Sequence, residues 1–415
     1  MIERNITQLL LDALSDTPVL LLNGARQTGK STLVKTITEH SHPARYITLD
    51  DATVLAAVEH DTAGFLSGLD GPVVIDEVQR APELFTAIKA EVDRNRRPGR
   101  FLLTGSSNVL LLPRLSESLA GRMEILSLWP FSQGELEGIK ELFVDGLFAA
   151  KLHADPLPKE SLASLHARII NGGYPEAVSR TKEDRRRAWF ESYITTILQR
   201  DIRDLAHIDG LTSLPRLLAI IASRTPALLN FSELSRTLAM PQSTLKRYMT
   251  LLEATFLIQH LPAWSGNLGK RLVKTSKLVM SDSGLMSHLL GANKERLATG
   301  GIIGPLLENF VIMELIKQIT WSSTKPQIFY FRTQTGQEVD IVLEDRAGKL
   351  VGIEVKASST VTAQDFKGLR ALAETTGKRF YRGIVLYTGS ESLSFGSELY
   401  AIPVNALWHK WGKPR

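Results

Sequence analysis

The residues from Gly24 to Ser31, GARQTGKS, have the spacing GxxxxGKS, and Thr32 follows. The glycines let the backbone curl so that successive N–H groups of Gly24, Ala25, Arg26, Gln27, Thr28 and Gly29 can point at a phosphate. Lys30 adds a point charge between the outer phosphates, and the Ser31 hydroxyl is placed to ligate Mg²⁺. A second set stands downstream: Val73-Val74-Ile75 is an apolar run that ends in Asp76 and Glu77. Asp76 at a strand tip can hold the metal shell, and Glu77 can polarise an attacking water. Together the two sets predict a site for ATP or GTP with Mg²⁺.

These groups need a sheet to hold them. Val19–Leu22 precedes the loop as a strand, and Ser31–Thr38 follows it with helical spacing. Tyr46–Leu49, Val73–Ile75, Phe101–Leu103 and Glu124–Leu128 read as further strands separated by helical patterns. That alternation predicts an α/β, parallel, helix-covered sheet. The polar end Thr104–Asn108 would lie beside the phosphates. Thr104 or Ser106 could serve as a sensor there, and Ser106 is preferred. Arg122, just before the last strand, is either an arginine donated across a subunit boundary or a surface ion pair.

At 415 residues the chain is long enough for roughly three domains. Its 43% hydrophobic and 22% charged residues are ordinary for a globular protein, and no apolar run reaches the length of a membrane span. The chain has no Cys, hence no disulfide framework and no thiolate metal site. These features predict a cytoplasmic protein with no membrane partner. Charge is uneven: Arg180 to Met280 holds 16 Lys/Arg and 8 Asp/Glu, so +8 of a net +5 sits there and the remainder carries −3. A basic middle segment fits contact with a phosphate backbone, or a solvated helical face.

The order GARQTGKST, VVIDEVQRAP, FLLTGSSNVLLL, SLAGR, LWPFSQGE and GGYPEA resembles a prokaryotic, archaeal-ATPase-like branch of the AAA+ superfamily across essentially the whole chain. In that branch the ATPase is joined to a C-terminal region of unassigned function. The resemblance implies a P-loop AAA+ module with Lys30 and Ser31 on phosphate and metal, Asp76 and Glu77 in the second motif, and a polar sensor within Thr104–Ser107. It also implies Arg122 as an arginine finger, hence a homo-oligomer, and a small helical lid around Phe131–Ala177. No arginine in that lid stands out as a second sensor.

A helix–turn–helix pattern follows. Phe231, Leu234 and Leu238 have helical spacing behind a cap at Asn230 or Ser232. Ser243–Leu252 forms the second helix, with Leu245, Met249 and Leu252 inward and Thr244, Lys246 and Arg247 outward. Phe256–Leu261 reads as the strand that opens a wing. Ser243, Thr244, Lys246 and Arg247 are therefore candidate nucleic-acid contacts, with a structural role for the same helix as the alternative.

The C-terminal part alternates strictly. Period two places Glu354 and Lys356 on one face of Gly352–Lys356, and the hairpin-like Glu344–Lys349 lets the strand of Asp340 pair beside it. Asp340 and Glu354 could share Mg²⁺, Lys356 could serve the reacting phosphate, and Glu308 could add an acid from a helix. This set is similar to the restriction-endonuclease-like PD-(D/E)xK core, either active or silent. Salt bridges on a mixed sheet are the plainer alternative.

The expected organisation is an AAA+ core and lid at 1–178, a helical and winged-helix domain at 179–300, and an α+β restriction-endonuclease-like domain at 301–415. The expected function is ATP-driven action on nucleic acid, DNA before RNA, with metal-dependent cleavage. The alternatives are a nucleotide switch with a C-terminal binding platform for protein or nucleic acid, as in defence, stress or toxin–antitoxin roles, and a chaperone-like remodeler.

Overall fold

The computed structural model describes residues 2–108, 119–152, 157–203, 211–228, 230–267, 269, 271, 274–299 and 301–409. The chain packs as two compact units, one comprising Glu3–Phe131 with Tyr248–Leu257 and the other Ser132–Arg247 with Ile258–Arg415.

The first unit is built on five parallel strands, β1 (Val19–Asn23), β2 (Arg45–Thr48), β3 (Val73–Asp76), β4 (Phe101–Gly105) and β5 (Met123–Ser127), in the order β2-β3-β4-β1-β5. All five strands expected from the sequence are present. β1 lies between β4 and β5 and is buried throughout, as its unbroken apolar run requires. Val19 and Leu21 face one core with Ile75, Leu103, Phe85 and Ile88. Leu20 and Leu22 face the other, packed by α1 (Thr7–Asp16) and α2 (Lys30–His40) through Leu10, Leu33, Val34 and Ile37. Helix α3 (Leu84–Arg94) buries Leu84, Phe85, Ile88 and Val92 at helical spacing. This layering is the parallel, helix-covered α/β sheet that the alternation predicts.

Residues 133–149, expected with the ATPase lid, group with the second unit. Gln133 donates its backbone N–H to Glu314 at 2.9 Å, Tyr381 donates to the Ala149 carbonyl at 2.8 Å, and Arg382 to the Leu147 carbonyl at 2.7 Å. The GGYP segment is likewise held from afar. The buried Asp282 accepts from the Gly173 N–H at 2.7 Å, and a Cβ at Gly172 would lie 2.2 Å from its Oδ1.

Within the second unit, β6 (Ala227–Leu228), β7 (Ile258–Leu261) and β8 (Lys277–Met280) form an antiparallel sheet in the order β6-β8-β7. The helix–turn–helix pattern is realised as α4 (Phe231–Leu238) and α5 (Gln242–Ala254), whose residues from Tyr248 on group with the first unit, with Asn230 as the cap, accepting from the Glu233 N–H at 3.0 Å. The following strand starts at Ile258, two residues later than expected, because Phe256 turns through a positive φ of 58°. The long α6 (Ile303–Trp321) is buried along most of its length.

A mixed six-stranded sheet completes the unit: β9 (Gln327–Arg332), β10 (Glu338–Glu344), β11 (Leu350–Lys356), β12 (Phe380–Tyr387), β13 (Leu393–Ser394) and β14 (Leu399–Pro403), ordered β13-β14-β12-β11-β10-β9. β10 and β11 pair antiparallel, as the hairpin pattern predicts, and β11 and β12 pair parallel across α7 (Lys367–Thr376). Among the described residues, no helix is long and apolar enough to cross a membrane.

Candidate functional sites

The loop from Gly24 to Gly29 joins β1 to α2 in a conformation that its glycines permit. Gly24 has φ +151° and a Cβ there would lie 2.2 Å from the Leu128 carbonyl oxygen, so no side chain fits. Gly29 is left-handed at φ 94° and precedes a helix whose N-terminus, the positive end of its dipole, has no side-chain cap. The Lys30 amine is buried and donates to the Gly24 and Ala25 carbonyls, both at 2.9 Å. Thr28 is buried and donates to the Ala25 carbonyl at 3.0 Å, Arg26 is half-buried, and Gln27 and Thr32 are exposed.

The carboxylates of the second motif stand at the same edge of the sheet. Ser31 donates to Asp76, its hydroxyl 3.1 Å from each carboxylate oxygen. Tyr46 donates to Asp76 at 2.6 Å, and Thr104 makes a short hydrogen bond to it. Burial, then the Asp76 hydrogen bond and charge, raise the Tyr46 phenol well above its usual range. Glu77 has a left-handed φ of 61°, an uncommon conformation for a non-glycine residue, and its amide donates to the Thr104 hydroxyl at 3.2 Å. Its side chain accepts from Ser106 at 3.0 Å and from Gln79, which also donates to Ser106 at 2.9 Å. An ammonium, a hydroxyl–carboxylate pair and a helix N-terminus form a donor set suited to a nucleoside triphosphate with Mg²⁺.

Arg122 lies apart from this constellation, with Nε 2.5 Å from Asp93 on α3, which it holds below the usual carboxylate range, and with Nη1 donating to the Ala120 carbonyl at 3.1 Å. The sequence reading missed Tyr46 and Gln79. It also missed Arg4, which donates to the Thr28 carbonyl at 2.9 Å and the Trp129 carbonyl at 2.6 Å, while its guanidinium sits 4.6 Å from the Phe131 ring centroid. No local motif marks Arg4; its target is the loop backbone.

At the C-terminal sheet, Asp340, Glu354 and Lys356 come together with Glu308 of α6. The β10–β11 register sets Ile341 opposite Ile353, which brings Asp340 beside Glu354. Asp340 Oδ2 accepts from the Val355 N–H at 2.9 Å, and Lys356 Nζ lies 3.4 Å from Glu354 Oε2. Burial, then the charge of Asp340, push Glu354 up to about 9; Lys356 opposes the shift. Burial and Asp340 likewise push Glu308 up to about 8, against Lys277. Burial works against the charge on Lys356, but Glu354 and Asp340 prevail and raise its pKa.

Lys277 on β8 was not anticipated. Its Nζ lies 2.5 Å from Glu338, 3.1 Å from Glu308 and 3.9 Å from Asp340, and the side chain is 4% exposed. Burial disfavours the ammonium, yet Glu308, Asp340 and Glu338 outweigh burial and raise its pKa. Among the described residues, no group of three or more His, Cys, Asp or Glu side chains is arranged to hold a metal. On α5, Ser243, Lys246 and Arg247 are exposed and Thr244 is half-buried, while Leu245, Met249 and Leu252 are buried as expected. Lys246 Nζ stands 5.8 Å from the Phe231 ring centroid.

An AAA domain model matches residues 16–137, and two domains of unknown function, DUF8612 and DUF4143, match 162–296 and 303–407. An uncharacterised protein of Mycobacterium tuberculosis is 31% identical over 409 residues, 97% of this chain and 84% of that protein, and one from Mycobacterium bovis gives the same figures. The chain belongs to their family and carries an AAA domain. An uncharacterised Haemophilus influenzae protein is 26% identical over 223 residues, covering 52% of this chain and 51% of that protein. Among solved structures, the Thermotoga maritima RuvB Holliday junction branch migration motor matches 63% of this chain and 90% of its own, at 18% identity and a TM-score of 0.31. AMPPCP-bound DnaA from Aquifex aeolicus matches 60% and 86%, at 14% identity and a TM-score of 0.29. Likenesses this loose carry no argument.

Proposed function

We propose that this protein binds ATP with Mg²⁺ at Gly24–Thr32 and hydrolyses it to drive action on nucleic acid, DNA before RNA. The observation that carries the reading is the hydrogen-bonded set of Ser31, Asp76 and Thr104 beside Glu77 and Ser106. When bound, Mg²⁺ neutralises charge on the phosphates. Lys30 would exchange its carbonyl partners for phosphate oxygens. Ser31 and Asp76 would hold the metal shell. Glu77, oriented by Ser106 and Gln79, would take the proton of the attacking water, and its left-handed backbone fixes the carboxylate where β3 ends. Arg122 would act in a homo-oligomer by leaving Asp93 for a neighbour's nucleotide.

The nucleic-acid part rests on the basic middle segment and on the exposed Ser243, Lys246 and Arg247 of α5, a helix suited to a winged-helix role. The three matched regions would then form an ATPase core, a middle module and a C-terminal module derived from a nuclease core, in a cytoplasmic protein. A nucleotide switch whose C-terminal module only binds its partner is the second reading, favoured by Lys277 among the carboxylates. Purified protein incubated with ATP and Mg²⁺, with and without single- and double-stranded DNA and RNA, tests both. Hydrolysis stimulated by one of these acids supports the first reading. Hydrolysis indifferent to all of them, with no salt-sensitive binding, would overturn its nucleic-acid part.

A further inference from the structure

The carboxylates of the C-terminal sheet invite a divalent ion, and the side chains around them can be checked against that role. An ion shared by Asp340 and Glu354 needs oxygens that face an unfilled position. One Asp340 oxygen accepts from the Val355 amide at 2.9 Å, and the other faces the Lys277 ammonium at 3.9 Å. Glu354 Oε2 faces Lys356 at 3.4 Å, and its Oε1 lies against the start of α7, where a Cβ on Gly368 would come within 2.7 Å. Glu308 Oε1 is 3.1 Å from Lys277. The donor set therefore does not fit a divalent ion in this arrangement.

We infer that Lys277 occupies the cation position of this centre and closes it to divalent ions, leaving a nuclease-like geometry whose charge is balanced by a resident ammonium. The lysine is held there by backbone anchoring. Asn309 on α6 accepts from the Met280 N–H at 2.8 Å and donates to the Met280 carbonyl at 3.0 Å, which fixes β8 against the helix that carries Glu308. The Tyr330 ring, 5.5 Å from Lys277 Nζ, and the Tyr330 hydroxyl bonded to the Thr275 carbonyl brace the same strand. Lys277 comes from the region matched at 162–296, whereas the three acids it faces, Glu308, Glu338 and Asp340, belong to 303–407. The middle region thus supplies the counter-charge of the C-terminal one. A divalent ion beside a buried ammonium would be repelled rather than shared.

The inference is independent of whether the protein acts on nucleic acid. Its test is Mn²⁺ binding by full-length, nucleotide-free protein, followed by electron paramagnetic resonance. Wild type and Asp340→Asn should take up the same number of ions. Lys277→Met should gain one site at least tenfold tighter than any wild-type site, lost again in Lys277→Met/Asp340→Asn, while Lys277→Arg gains none. Mn²⁺ held by wild type and released by Asp340→Asn would overturn the inference, and this pair decides even where Lys277→Met fails to fold. A folded Lys277→Met that gains no ion would also overturn it. ATP hydrolysis by the wild-type preparation, measured in parallel, reports separately on the P-loop.

Discussion

Ser31 and Asp76, 45 residues apart in the chain, meet with the serine hydroxyl 3.1 Å from each carboxylate oxygen. The contact joins the first turn of α2 to the tip of β3. Lys30→Ala removes the buried ammonium beside it and should lower ATP hydrolysis ~10²–10³-fold while weakening ATP binding. Glu77→Gln should lower hydrolysis as far yet retain bound ATP, since the binding groups stay intact. Phosphate release and filter binding of labelled ATP separate the two, and wild-type turnover by Glu77→Gln would remove Glu77 from the catalytic role.

Arg122 is paired with Asp93 in the isolated chain. Arg122→Ala should lose hydrolysis and keep ATP binding, and hydrolysis by wild type should rise with protein concentration as copies associate. Light scattering under turnover conditions checks the second half. A monomer with full activity would exclude an arginine supplied in trans.

Lys246→Glu with Arg247→Glu reverses two charges on the outer face of α5 and leaves Leu245 and Met249 in place. DNA affinity should fall, and the slope of its logarithm against the logarithm of salt should become shallower by about two. ATP binding should not change. Equal affinity across a salt series would assign this helix a structural role.

Glu141 accepts from the Gly134 N–H at 2.7 Å, and burial, then the charge of Glu314, push its carboxyl from 4.5 up to about 8. The folded state therefore holds a proton that the unfolded state releases. Its contribution to stability is complete below about pH 4.5 and is lost as pH rises towards about 8, with a slope approaching about 1.4 kcal/mol per pH unit. Glu141→Gln keeps the acceptor and should flatten this slope in urea denaturation measured between about pH 5 and about pH 8. An unchanged slope would place the titrating group elsewhere.

Local order was legible wherever chemistry and period coincide within a few residues. GxxxxGKS, the apolar strand before it and the carboxylate pair after β3 are short-range patterns, since a phosphate loop needs glycines and a buried parallel strand needs an unbroken apolar run. The alternation that puts Glu354 and Lys356 on one face, and the hairpin that brings Asp340 beside them, could be read for the same reason. The partners of those residues could not. Tyr46 and Thr104 reach Asp76 only because β2 and β4 flank β3, an order no local pattern encodes. Gln79 is set by the left-handed turn at Glu77. Lys277 looked like one more cation in a basic stretch, and its burial among Glu308, Glu338 and Asp340 was decided by the pairing of Asn309 with the Met280 backbone. Sequence determines which groups can do chemistry, because that depends on side-chain type and spacing along a strand or turn. Which charges face one another is decided by long-range packing, because burial leaves a charge no solvent and makes its neighbours in space, not in sequence, set its state.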